Sequence, residues 1–214
     1  MDNTTSMDHV EFTDRRSLPM MALRGLTVFP GMMLTFEVER SMSIAALNMA
    51  MSDDQIIYLV PQIDIATDIP TPEDVYGVGT VCRIKQMMKQ PGSKTVRVMA
   101  EGIERGRTLA VRTDMPCFVA EVEPMPDVAE RKTARIEALI RHCCNLFDAY
   151  VTVSGNMAPE SVITVLGSTN AGFVSNFIAQ HVFLRPEQKQ ELLEEFNPAR
   201  RLEKILKLLA HEID

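Results

Sequence analysis

The side chains that could act as nucleophiles, general bases or metal ligands are few, and their spacing does not assemble them. Ser93 stands beside Lys94, the pair a lysine-activated serine requires, but adjacency alone supplies neither a shaped site nor an oxyanion hole. Gly92-Ser93-Lys94 also carries the last letters of a phosphate-cradling loop, yet lacks the upstream glycine of G-x-x-x-x-G-K-[ST]. Neither Ser154 nor Ser168 lies in G-x-S-x-G, so no nucleophile elbow can form around them. His142 and Cys143 are neighbours, and neighbours on a helix point about 100° apart rather than at each other. His9, His142, His181 and His211 are scattered, and His211-Glu212 has no second histidine to complete H-E-x-x-H. Asp53-Asp54 and Glu194-Glu195 read as a solvated loop and the polar face of a helix. No catalytic constellation, metal site or cofactor site is therefore expected in this chain.

The composition narrows the remaining classes. Of 214 residues, 46% are hydrophobic and 24% charged, the proportions of an ordinary globular protein. The apolar runs are too short for a membrane-spanning helix, and the polar, acidic start MDNTTSMDHVEFTDRR is no signal peptide, so a cytoplasmic protein is expected, with residues 1–17 a disordered lead-in. Cys82, Cys117, Cys143 and Cys144 lack C-x-x-C spacing and read as reduced, buried thiols. The net charge of -7 disfavours nucleic acid, whose binding needs clustered Lys and Arg.

The elements that would hold these residues change period near Pro124. Before it, apolar residues alternate: Leu34, Phe36 and Val38; Val78, Thr80, Cys82 and Ile84; Val96, Val98 and Ala100; Phe118, Ala120 and Val122, with Ile56 to Val60 a continuous buried run. Pro91-Gly92 fits a hairpin turn between two of these strands. One helix interrupts them, with Ser41 as N-cap and Ile44, Leu47 and Met51 on its apolar face. Many short strands and close turns predict a sheet that wraps on itself. After the stiff PMPD junction, Ile136, Leu139, Ile140, Cys143, Phe147 and Tyr150 fall at helical spacing. Further helices are predicted over Pro159 to Leu166, Gly172 to Val182 and Pro186 to Phe196. A last one starts at Asn197 as N-cap and carries Leu202, Ile205, Leu206, Leu209 and Ile213 on one side. No stop signal follows it, so a helix cut in mid-pattern is expected.

Two blocks within these elements carry a family likeness. In LPMMALRGLTVFPGMMLTFEVER, the order Leu23, Arg24, Gly25, Val28, Phe29, Pro30, Gly31, Met32 resembles the opening of the amino-terminal domain of Lon, the ATP-dependent protease. In VGTVCRIKQMMKQPGSKTVRVMAEGIERGR, a V-G-T strand around Gly79, a Pro-Gly turn and the E-G-x-x-R closing of Gly102 and Arg105 resemble the next part of that domain. The resemblance implies an α+β fold: a PUA-like β pseudo-barrel with one helix over 18–124, then a helical bundle over 125–214. It also implies a non-catalytic domain that binds unfolded or damaged polypeptides and self-associates within a homohexamer. ATP and magnesium would belong to an ATPase module, and cutting to a Ser-Lys protease module, neither of which is encoded here. A stand-alone adaptor with this domain, or an RNA-binding PUA-like module, are the alternatives; the acidic balance speaks against the second.

Within that reading, Val28, Phe29, Met32 and Met33 are the candidate substrate-binding residues. Apolar pairs around Pro30-Gly31 cannot all face one side of a hairpin, and the chain is rich in adaptable methionine, seven of its 15 falling between Met20 and Met51. Arg24 and Arg105, each beside a glycine at a probable-turn spacing, are expected to pin structure through carbonyls or a carboxylate such as Glu101 or Glu104. Gly25, Pro30, Gly31, Gly79 and Gly102 complete the structural motif.

Overall fold

A computed structural model describes residues 14–89, 91–129, 131–154 and 159–213. Strands β1 (Arg16–Leu23), β2 (Met33–Val38), β3 (Ile56–Pro61), β4 (Val78–Lys89), β5 (Val96–Arg112) and β6 (Phe118–Pro124) alternate with one helix, α1 (Ser41–Met51). Five helices follow: α2 (Ala134–Ser154), α3 (Pro159–Leu166), α4 (Ala171–His181), α5 (Pro186–Leu193) and α6 (Pro198–Ile213). The strands run β2-β5-β4-β3-β1-β6, and β6 pairs again with β5, so five of them close a ring and the expected pseudo-barrel is present.

Closure depends on β5, the longest strand. Register shifts at Ile103 and at Leu109 bend it, and a third at Lys85 bends its neighbour β4. Its first half can then pair with β2 and its second half with β6. Tyr58 fastens the curve from inside, donating its hydroxyl hydrogen to the Gly106 carbonyl at 2.9 Å and accepting one from Thr108. Burial pushes that phenol up to about 12. β3 is buried at all six positions, as its unbroken apolar run requires, and separates two apolar clusters.

Strand pairing, helix capping and element ends differ in places from the sequence reading. β1 and β2 are not a hairpin: β1 pairs parallel with β3 and antiparallel with β6, while β2 pairs only with β5. Turn chemistry at Pro30-Gly31 is local, but the pairing is decided by which partners bury both faces of β1. The α1 helix begins with Ser41 already inside it; Arg40 holds the N-cap position and makes no side-chain cap bond. Its buried face is Ala46, Leu47 and Ala50, while Met51 is exposed, because small residues let the helix approach the sheet closely. β1 also starts at Arg16, two residues into the expected lead-in, held by the Arg16–Asp54 ion pair and the Arg16–Val122 register; residues 1–13 lie outside the described residues.

The helices pack around one core built from Ile140, Cys143, Phe147, Val174, Ile178, Leu202, Ile205 and Leu209, so α2 and α6 bury the faces their spacing predicted. Asn197 caps α6 through its side chain, which accepts from the Arg200 N–H at 2.9 Å. The side chain of Ile213 lies outside the described residues.

All four cysteines are buried and unpaired. Burial raises each thiol, Cys143 to about 12, so at pH 8 it holds only ~10⁻⁴ of its population as thiolate, the form that reacts. Iodoacetamide at pH 8 is expected to leave the native protein unmodified and to add four groups in urea, as read by intact mass. A labelled native cysteine would contradict this placement.

Candidate functional site

The residues proposed from sequence for substrate contact mostly turn inward. Val28, Phe29 and Met32 are 2%, 0% and 4% exposed; only Met33 is open, at 49%. The segment 27–32 meets the helices, and of its six residues only Gly31 is exposed. Phe29 and Met32 join the helical core, and α4 grips the backbone between them. The Phe29 N–H donates to Gln180 Oε1 at 3.1 Å, Gln180 Nε2 donates to the Thr27 carbonyl at 3.2 Å, and Asn176 Nδ2 donates to the Pro30 carbonyl at 3.1 Å. The bend itself is the expected one: Gly31 sits at φ +77°, a region only glycine enters freely, and the Met32 N–H returns to the Phe29 carbonyl.

The other motif residues serve the same junction or the barrel wall. Gly102 lies against Phe29, whose carbonyl oxygen would be 2.4 Å from any added Cβ, so no other residue lets β5 pass the bend. Gly79 is crowded in the same way by the Leu59 carbonyl, and Gly25 adopts φ +66°. Arg105 is almost wholly buried, and the carboxylate it bonds is Asp127. It donates to the Leu193 carbonyl at 2.8 Å, to Asn176 Oδ1 at 2.7 Å and to Asp127 Oδ1 at 3.2 Å. Arg201, fully buried, donates to both oxygens of the same Asp127 at 3.0 and 2.7 Å. Two buried guanidiniums thus share one carboxylate between barrel and helices. Burial, reinforced by Arg201, pushes Arg105 down to about 9, and Asp127 opposes the shift. Glu101 instead pairs with Lys85 at 2.6 Å.

Arg24 also has a different partner, and it lines a cavity of the barrel. Its guanidinium donates to Asp68 at 2.8 Å and to the Thr67 carbonyl at 3.3 Å. That carbonyl also accepts from Arg40 at 3.2 Å and from the buried Gln62 at 2.7 Å, so the loop after β3 is folded around one oxygen. Arg40 further donates to Gln62 Oε1 at 3.1 Å. Partial burial lowers its pKa, Arg24 adds to that and Asp68 opposes it.

Arg40 stands between two cavities. One, of about 240 Å³, lies between the end of β1 (Met21, Ala22, Leu23) and β2 (Phe36, Glu37, Val38). The other, of about 230 Å³, runs on past Arg40 between Met20, Met42, Ile69, Pro70 and Phe118. The two cavities adjoin, with Met21, Ala22, Arg40 and Ser43 lining both, and the groove they make is rimmed by the exposed Leu26 and Ile69. Sequence reasoning passed over it. Met20, Met21 and Met42 belonged to the methionine-rich stretch, but nothing local signals that the ends of β1 and β2 face each other across a gap. By contrast Ser93, the serine beside Lys94, uses its hydroxyl to accept the Thr95 N–H at 3.0 Å in the β4–β5 turn.

Comparison with known proteins bears directly on this geometry. Residues 17–211 match the family described as the ATP-dependent protease La (LON) substrate-binding domain. The chain is 38% identical over 216 residues to the Lon protease of Clostridioides difficile strain 630, covering 99% of this chain and 26% of that protein. It is 36% identical to the Lon protease of Brevibacillus choshinensis, covering 94% and 26%. The chain therefore spans about a quarter of the length of these curated relatives. In fold it is similar to the N-terminal domain of the Mycobacterium avium complex Lon protease, with a TM-score of 0.75 at 20% identity, covering 91% of this chain and 98% of that one. A Lon N-terminal domain protein from Xanthomonas campestris gives 0.62 at 21% identity over the same shares.

Proposed function

The chain belongs to the Lon substrate-binding domain family, and on that premise we propose that it binds unfolded or damaged polypeptides for a cytoplasmic, ATP-dependent Lon-type protease and supports assembly of that protease as a hexamer. The observation that carries this reading is the family match across residues 17–211. The groove around Arg40 supports it, since an unfolded chain differs from a folded one in offering contiguous apolar side chains and unpaired backbone. On this reading the chain itself cuts nothing and holds no cofactor; ATP, magnesium and the nucleophile act elsewhere in the protease. Affinity for one domain is weak and is raised by repetition around a ring, as linked sites raise avidity.

The test is isothermal calorimetry of the 214-residue chain against a globular protein kept unfolded by reduction and carboxymethylation, with the native form of that protein as control. Binding of the unfolded form alone is expected, at micromolar or weaker affinity. Equal binding of both forms, or of neither, would remove the basis for the reading.

A further inference from the structure

The groove has a feature that apolar lining alone does not explain: both of its walls are unfinished strand margins. β2 bonds β5 on one side and, among the described residues, no strand on the other. Gly102 exchanges backbone bonds with Gly31 and Met32 at the head of this pairing. By the antiparallel alternation, Leu34, Phe36 and Val38 turn their N–H and C=O toward β5, and Met33, Thr35 and Glu37 turn theirs outward. Across the gap, β1 keeps β6 only as far as Met20, so among the described residues Met21 to Leu23 have no strand partner on that side. Sheet edges are ordinarily blunted by proline, lysine, bulges or a covering element. β2 reads MLTFEV, has no bulge, and ends in the open groove.

The charges suit a particular occupant. Of the carboxylates lining the groove, Glu37 is engaged by Arg97 at 3.0 Å, Glu39 accepts from Thr95 at 3.0 Å, and Asp68 is taken up by Arg24. Arg40 spends its hydrogen bonds on the neutral oxygens of Gln62 and Thr67. It is one of the residues lining both cavities, so a chain lying in the groove passes over a guanidinium that, among the described residues, has no hydrogen-bonded carboxylate.

We propose that an extended segment of an unfolded polypeptide adds as a strand to the free edge of β2, setting apolar side chains into the two cavities and an acidic side chain against Arg40. This rests on the polypeptide-binding reading above and specifies its mode. Backbone bonds supply affinity without sequence preference, alternate side chains supply a mild one, and the edge would serve many different substrates. Met33, the one exposed member of the sequence-derived set, then stands on the outer face beside the incoming strand.

The experiment uses the whole chain and a fluorescein-labelled ten-residue peptide of alternating leucine and serine with one central glutamate, read by anisotropy. N-methylation of every second backbone nitrogen is expected to weaken binding at least about tenfold, because the bonds to the edge are lost while the side chains remain. Changing the glutamate to glutamine, or Arg40→Gln in the protein, should each cost about threefold to tenfold, and together no more than either alone. Thr35→Pro, which removes an outward N–H and no bond to β5, should match the effect of N-methylation. If the carboxymethylated unfolded protein binds but the peptide is indifferent to N-methylation, strand addition is wrong while polypeptide binding stands. If neither binds, the functional reading itself falls. If sedimentation shows a dimer that Thr35→Pro dissociates, the edge belongs to a second copy and the proposal is overturned.

Discussion

Asp127→Ala is expected to lower the stability of the protein by about 3 kcal/mol, a large share of the ~5–15 kcal/mol that separates a domain of this kind from its unfolded state. The reason lies in the count of charges. Arg105 and Arg201 are 2% and 0% exposed in their side chains, and Asp127 is the carboxylate both of them reach. Removing it leaves two guanidiniums in a low-dielectric junction, hydrogen-bonded to neutral oxygens of Leu193, Asn176, Ser175 and Glu195 and with the Glu195 carboxylate as a more distant opposite charge. The figure is set at the low end for a broken buried pair because Asp127 is 29% exposed, so water partly screens it. Arg201→Met should cost less than Asp127→Ala, since it removes the surplus cation and leaves a one-to-one pair with Arg105. Urea titration followed by far-ultraviolet circular dichroism measures both. Equal losses, or a loss below about 1 kcal/mol for Asp127→Ala, would show that the shared carboxylate does not balance the junction.

That network also marks the boundary of what the sequence discloses. Strand positions in β2, β4, β5 and β6 follow from period-two alternation, β3 from an unbroken apolar run, and α2 and α6 from a single apolar stripe, because burial is a local constraint on residue type. The Arg105 motif is visible as E-G-x-x-R, but its partners Asp127 and Asn176, and Arg201 with which it shares Asp127, stand 22, 71 and 96 residues along the chain, each ordinary in its own neighbourhood. A carboxylate shared by two distant guanidiniums leaves no local pattern to read. The same limit hides the groove. Phe36 to Val38 are legible as strand, yet whether they pair with Met21 to Leu23 or stand apart depends on β6 closing the barrel at its other end. The apolar surplus around Pro30-Gly31 is a correct signal of a second burying surface. That surface is α4 and its neighbours within the same chain, which the local sequence cannot distinguish from an external partner.

Phe29→Ala is expected to cost about 4 kcal/mol, as truncation of a fully buried phenylalanine does when its surroundings cannot collapse into the space. The ring is 0% exposed and sits among apolar side chains of the helices, while its own backbone is held by Gln180 and crowded by Gly102. With the main chain fixed on both sides, the segment cannot settle inward to fill the void, so the cavity term is retained in full. Phe29 belongs by sequence to the barrel and by packing to the helical core, so the loss should lower one shared unfolding transition and not melt the helices separately. Met33→Ser, four residues on and 49% exposed, should change stability by no more than about 0.5 kcal/mol. The pair therefore separates two roles that the sequence alone gives to both residues. In urea titration the Phe29 variant is expected to unfold early with an unchanged slope, and below its midpoint to bind unfolded protein as the parent does. A Phe29→Ala protein of near-parental stability that had lost binding would return this residue to the substrate surface and refute its assignment to the core.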